Sequence, residues 1–237
     1  MLRIMLAQIN PVAGDLEYNL SKHKECLDIA RKKQVDLVVF PEMSISGYPV
    51  DDLVSYEWWQ DKVQETIHKL CSHTKDISCL VGAPSISGTK ENHNRLNQVF
   101  FIQEQKIHQR YAKILLPTHG VFDESRYFVP GEEKLILELQ GLRIGMTICE
   151  DVWHVPGKIT STFRINPLQT LKTEKLDLLI NMSASPFEKQ KIYFRQKLFR
   201  DVSEYLDCSV AFCNQWGGQD HLVFDGTSFV YSKKEKK

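Results

Sequence analysis

Apolar and polar positions recur along this chain in two periods, and the periods predict its elements. Short apolar runs bounded by turn residues read as buried strands: residues 2–9, "VDLVVF" at 35–40, "ISCLVGAP" at 77–84, "LDLLINMSA" at 176–184 and "CSVAFCNQ" at 208–215. "LNQVFFIQ" and "KIHQRYAK" (96–103 and 106–113) form a hairpin across polar Glu104–Gln105, and 135–149 folds back at Gly141. "LVFDGTSFVYS" at 222–232 reads as a closing strand. Helical spacing fills three intervals. The first is 18–33, with Leu20, Cys26 and Ile29 on its apolar side. The second is 52–74, and the third is 188–206, with a stripe of Phe194, Leu198, Val202 and Tyr205.

Helices interleave with buried strands, but hairpins intrude. That combination predicts a layered α/β domain with mixed sheets, not a purely parallel one. No internal repeat or low-complexity linker divides the chain. The tail "SKKEKK" (232–237) reads as a solvated terminus. It follows directly on a strand-like run, so the sequence is expected to stop inside a larger protein.

Composition narrows the class. The 237 residues fit one large domain with a real core. Thirty basic and thirty acidic side chains give a net charge of zero, which leaves no broad basic field for nucleic acid or anionic lipid. No apolar run approaches a membrane span, and the N-terminal run, closed by Gln8 and Asn10, is too short for a signal peptide. Of the six cysteines none forms a CxxC pair, which argues against structural zinc. A chain this rich in core residues needs no disulfide staples. A reducing, cytoplasmic setting is expected, with five cysteines as small buried residues.

No GxGxxG, GxxxxGK[ST] or HExxH occurs, and the eight histidines show no metal-ligand spacing, so no metal and no cofactor is expected. Three strand ends carry reactive side chains instead. Glu42 lies two residues past "VDLVVF", Lys113 ends "KIHQRYAK", and Cys149 ends "LRIGMTIC". Each alone has a plain structural explanation: a strand-end glutamate is solvated, and a lysine after a hairpin snorkels. Together they make chemical sense. The acids Glu150 and Asp151 oppose a thiolate at Cys149, so a cation must come from elsewhere in the chain. Lys113 supplies one, Glu42 supplies a base for the thiol proton, and the Glu150 backbone N–H follows the nucleophile.

The segments "FPEMSISGYPVDDL", "KILLPTHGVFDESRYFVPG", "ICEDVW", "NMSASPF" and "NQWGGQDHLVFDGTSFV" carry a resemblance that spans nearly the whole chain in order. The sequence resembles the nitrilase (carbon–nitrogen hydrolase) superfamily. Within it, the branch most similar is that of the glutamine amidohydrolase domains of glutamine-dependent NAD+ synthetases. The resemblance implies a nitrilase-like α-β-β-α sandwich, two mixed sheets flanked by helices, C-terminally truncated, as a single domain over 1–237 with the synthetase domain absent. It implies that the four layers are built when two copies pack their helical layers together, so a homo-oligomer is expected. It implies Cys149 as nucleophile, Glu42 as general base and acid, and Lys113 with the Glu150 N–H as oxyanion partners. Glu124 would hold Lys113 or the substrate ammonium. Phe122, Ser185 and Lys191 would grip the backbone of L-glutamine. The residues Ser183, Ser185 and Pro186 also read, without the resemblance, as an N-cap and turn before 188–206.

Two positions depart from the branch pattern: His119 stands where it has tyrosine, and Trp216 replaces a smaller apolar residue. The ATP-dependent synthetase domain would be the partner in the full-length protein, and weak glutaminase activity is expected of the chain alone. The alternatives are a stand-alone amidase acting on another small amide or N-carbamoyl compound, and an inactive assembly module.

Overall fold

The computed structural model describes residues 2–88, 93–159 and 165–234. The expected solvated tail thus lies partly outside the described residues. A first sheet has the order β1-β2-β3-β4-β5, formed by Ile4–Leu6, Leu37–Val39, Ser78–Gly88, His93–Gln103 and Lys106–Ala112. The first three strands are parallel, and β4 and β5 add antiparallel. A second sheet has the order β12-β9-β8-β7-β6. Here β6 (Ile136–Leu139) and β12 (Phe229–Tyr231) pair antiparallel on the outside of β7 (Leu142–Ile148), β8 (Leu178–Ser183) and β9 (Ser209–Asn214), which run parallel. A separate hairpin joins β10 (Trp216–Gln219) to β11 (Leu222–Asp225).

Period-two alternation builds the layers. Val38, Cys79 and Val81 face a core that includes Leu20 and Leu27 of α1 (Leu16–Lys32) and Val63 and Ile67 of α2 (Glu57–Cys71). Their neighbours Leu37, Val39 and Leu80 face a central core shared with Met146, Ile148, Ile180 and Met182 of the second sheet. On that sheet's far side, Leu179, Val210 and Phe212 pack on Leu168 of α3 (Pro167–Leu171) and on Leu198 and Val202 of α4 (Lys191–Leu206). The order is α-β-β-α within one chain. This corrects the expectation that a second copy is needed to build four layers.

Several boundaries differ from the periodicity, each for a local reason. The expected helix 52–74 is interrupted at Tyr56, which is extended between a 3-10 turn over Asp51–Ser55 and α2. The expected strand 222–232 breaks at Gly226 and Thr227, with φ of +62° and +54°, so its halves join different sheets. On α1 the buried face is Leu16, Asn19, Leu20, His23, Leu27 and Ala30; Ile29 is exposed and Cys26 half-buried. On α4, Leu198 and Val202 are buried as expected, but Phe194 is exposed and Arg195 is buried. Polar side chains thus occupy inner faces at Asn19, His23 and Arg195. Among the described residues all six cysteines are free thiols, and no helix is long and apolar enough to cross a membrane.

Candidate active site

Strand ends of both sheets converge on one place. Glu42 follows β2 in a loop that is buried almost throughout residues 41–50. The loop needs Met43 at φ +52° and lies so close to β3 that a Cβ on Gly82 would sit 2.3 Å from the Met43 nitrogen. Here glycine is required by close approach. Glu42 is 1% exposed, and both of its oxygens are engaged. Oε1 accepts from Asn97 Nδ2 at 2.7 Å and from Lys113 Nζ at 2.8 Å, and Oε2 accepts from the Ala184 N–H at 2.9 Å.

Lys113 is held just past β5, where its N–H donates to Asn97 O and its carbonyl accepts from Gly131. Its Nζ also donates to Glu124 Oε1 at 2.6 Å, and Tyr48 Oη donates to the same oxygen at 3.0 Å. Burial alone lowers the ammonium pKa, but the carboxylates of Glu124 and Glu42 outweigh it and hold the group well above the ordinary lysine value. Burial pushes the Glu124 carboxyl upward despite the lysine's pull.

Cys149 opens a 3-10 turn, Cys149–Val152, at the end of β7, with φ of +40°. A non-glycine residue in that region is strained, and such strain concentrates at functional turns. Asn181 Nδ2 donates to the Cys149 carbonyl at 3.4 Å. Burial, and then the Glu42 carboxylate, push the thiol pKa well up; Lys113 opposes them, while Glu150 and Glu124 add to the rise. The surroundings thus favour the thiol over the thiolate.

A cleft of about 1020 Å³ opens over this thiol. Of the nine site residues expected from the sequence, His119, Phe122, Cys149, Glu150, Ser185 and Lys191 line it. Glu42, Lys113 and Glu124 do not; they form a buried ion cluster. In this geometry Glu124 is paired with Lys113. Glu150 brings its side chain as well as its N–H: Oε1 lies 3.2 Å from His154 Nε2 and 3.6 Å from His119 Nε2. Lys191 stands at the start of α4, its Nζ 5.4 Å from the centre of the Trp153 ring, and burial lowers its pKa.

Ser185 is held from both sides. Its N–H donates to Asn214 Oδ1 at 2.8 Å, and its carbonyl accepts from Arg195 Nη2 at 3.0 Å. Its hydroxyl oxygen is buried with no protein partner. The capping role read for this stretch is not realised: α4 begins at Lys191, after Gln190, which makes no side-chain cap. Sequence reasoning missed Asn97, Asn181, Asn214, Tyr48 and Arg195. The first three had a visible signal, an asparagine set within or at the end of an otherwise apolar strand, which asks for a partner. Among the described residues, no group of three or more His, Cys, Asp or Glu could hold a metal ion.

A buried Glu–Lys–Glu cluster behind a strained cysteine, on an α-β-β-α sandwich, defines a class. The chain belongs to the carbon-nitrogen hydrolase family, whose pattern covers residues 3–234. Its relatives are more particular. It is 36% identical over 97% of its length to the glutamine-dependent NAD(+) synthetase of Thermotoga maritima, covering 38% of that protein. It is 34% identical to that of Acinetobacter baylyi, over 96% of this chain and 40% of the relative. The solved glutamine-dependent NAD+ synthetase of Acinetobacter baumannii, in complex with ADP, matches with a TM-score of 0.88 and 32% identity, covering 99% of this chain and 42% of that one. An amidase from Nesterenkonia sp. AN1 shares the fold at a TM-score of 0.80 and 18% identity, covering 98% and 86% of the two chains. The chain spans about two fifths of the length of the synthetases it matches.

Proposed function

We propose that residues 1–237 form one glutamine amidohydrolase unit that releases ammonia from the glutamine side chain through a cysteine thioester. The observation that carries this reading is the Lys113 ammonium, clamped between Glu42 and Glu124 and within electrostatic reach of the Cys149 thiol. In this reading Cys149 Sγ attacks the γ-carboxamide carbon while its proton passes to Glu42. The oxyanion is stabilised by the Lys113 ammonium and the Glu150 N–H. Glu42 returns the proton to the departing nitrogen, and the C–N bond breaks to give ammonia. Glu42 then takes a proton from water, whose oxygen attacks the thioester; as the C–S bond breaks, Glu42 passes that proton to Sγ, freeing glutamate and restoring the thiol. The zwitterionic head of glutamine finds complementary groups in the cleft: Lys191 and the unpartnered Ser185 hydroxyl for the carboxylate, Glu150 for the ammonium.

In the full-length protein the ammonia would serve an ATP-dependent synthetase domain making NAD+, in a homo-oligomer. The free thiols suit a reducing cytoplasm. The test is ammonia release from glutamine. Glu42→Gln and Cys149→Ala are expected to abolish it. Lys113→Ala should slow it by a factor on the order of 100 to 1,000, the usual cost of a lost oxyanion donor. Near-normal release by any of these variants would refute the assignment.

A further inference from the structure

Asp151 follows Cys149 by two residues yet is 1% exposed and does not line the cleft. Its carboxylate takes four hydrogen bonds from two sheets. Oδ2 accepts from the Ile148 N–H of its own turn at 2.8 Å and from Tyr111 Oη at 2.7 Å. Oδ1 accepts from the Ile114 N–H at 3.1 Å and the Leu115 N–H at 2.8 Å. The last two amides directly follow Lys113, and Tyr111 precedes it by two on β5. One buried carboxylate therefore straddles the segment carrying the ammonium and the turn carrying the thiol. No other side chain bonds both segments among the described hydrogen bonds. Burial pushes its pKa up to about 6, against the pull of the amides and the tyrosine, so the fold keeps this group in an environment that opposes its charge.

We propose that Asp151 is a positioning residue: it fixes the distance between the Cys149 thiol and the Lys113 ammonium by tying the Cys149 turn to the end of β5. It touches no reacting atom. The inference rests on the Cys149–Lys113 reading above and adds what sets their separation. The role demands a carboxylate. Four donors converge on two oxygens, and an amide has only one. Asparagine would turn its NH2 toward either the Ile114–Leu115 pair or the Ile148 N–H. In both cases donor faces donor, and the turn must move away from the strand.

The test uses Asp151→Asn and Tyr111→Phe, the second keeping three of the four donors. Two rates are read at a temperature where circular dichroism shows each variant folded: alkylation of Cys149 by iodoacetamide, followed by mass spectrometry, and ammonia release from glutamine. Asp151→Asn should lower both the alkylation rate and kcat at least tenfold, with KM changed less than threefold. Tyr111→Phe should lower both three- to tenfold, again with KM held. A merely structural role would lower the folded fraction and leave kcat per folded molecule intact. Folded Asp151→Asn within twofold of wild type in both rates overturns the proposal. If that variant does not fold, Tyr111→Phe within twofold does the same. If wild-type Cys149 alkylates no faster than the buried Cys79 and Cys213, the thiol reading itself falls, and this inference with it.

Discussion

At the scale of single residues, polar groups inside the core are tied to the loops of the candidate site. His23 on α1 is fully buried against Phe40, ring centres 4.2 Å apart. Its Nδ1 lies 2.7 Å from Asn19 O and its Nε2 2.9 Å from Ser44 Oγ, two residues from Glu42. A carbonyl can only accept, so Nδ1 carries the proton and Nε2 accepts from the serine. Burial pushes the imidazole pKa down from 6.5 to about 4. Between those values the unfolded chain binds a proton that the folded protein refuses. Stability therefore falls as pH drops through this window, by up to about 3 kcal/mol from this one group. Glutamine in its place does not titrate, and its amide can serve both partners. Urea unfolding at pH 7 and pH 4.5 should show the gap between wild type and His23→Gln shrinking or reversing at the lower pH. Other titrating carboxyls are common to both proteins and cancel in the difference. An equal gap at both pH values would contradict the buried neutral imidazole.

At the scale of elements, α4 carries a second device. Arg195 donates to Asp225 at 2.7 and 2.9 Å on one side and to the carbonyls of Ser185 and Pro186 at 3.0 Å on the other. A lysine presents one nitrogen and cannot span this fork. Arg195→Lys should loosen the Ser185 loop while leaving Glu42, Lys113 and Cys149 untouched. The expected outcome is a KM for glutamine raised at least tenfold with kcat within threefold, measured by steady-state ammonia release. Arg195 also marks the limit of what was legible in the sequence. The helix was readable from its apolar stripe, and Leu198 and Val202 are buried as the period required. An arginine in that stripe looks like a solvated residue until Asp225, thirty positions away, is seen to meet it. Glu42, Lys113 and Cys149 stood out in the sequence because strand ends project reactive groups, and the flanking motifs pointed to the family. The short β10 strand, with two glycines in four residues, and α3, with its Asn166 cap and Pro167 start, were missed. Neither is long enough to show a period. That Glu124 pairs with Lys113, eleven residues away, is visible only in the distances.

At the scale of the molecule, the site belongs to the contact between the two sheets and not to either sheet alone. Glu42, Asn97 and Lys113 come from the first sheet; Cys149, Ala184 and Asn214 come from the second. Behind them lies the central core between the sheets, which includes Leu80, Val99, Ile148 and Ile180. The outer cores fasten helices to the far sides. Loss of volume in the centre should therefore let the sheets shift and disturb the chemistry, while equal loss outside should cost only stability. Ile180 in the centre and Ile67 on α2 are both fully buried, so the same truncation can be made in both places. Ile180→Ala and Ile67→Ala should each lower stability by about 2–5 kcal/mol in urea unfolding. Only Ile180→Ala should slow alkylation of Cys149, by fivefold or more under conditions where both variants are folded, with Ile67→Ala staying within twofold of wild type. Equal slowing in the two would mean that the site senses overall stability and that the sheet-to-sheet contact has no special hold on it.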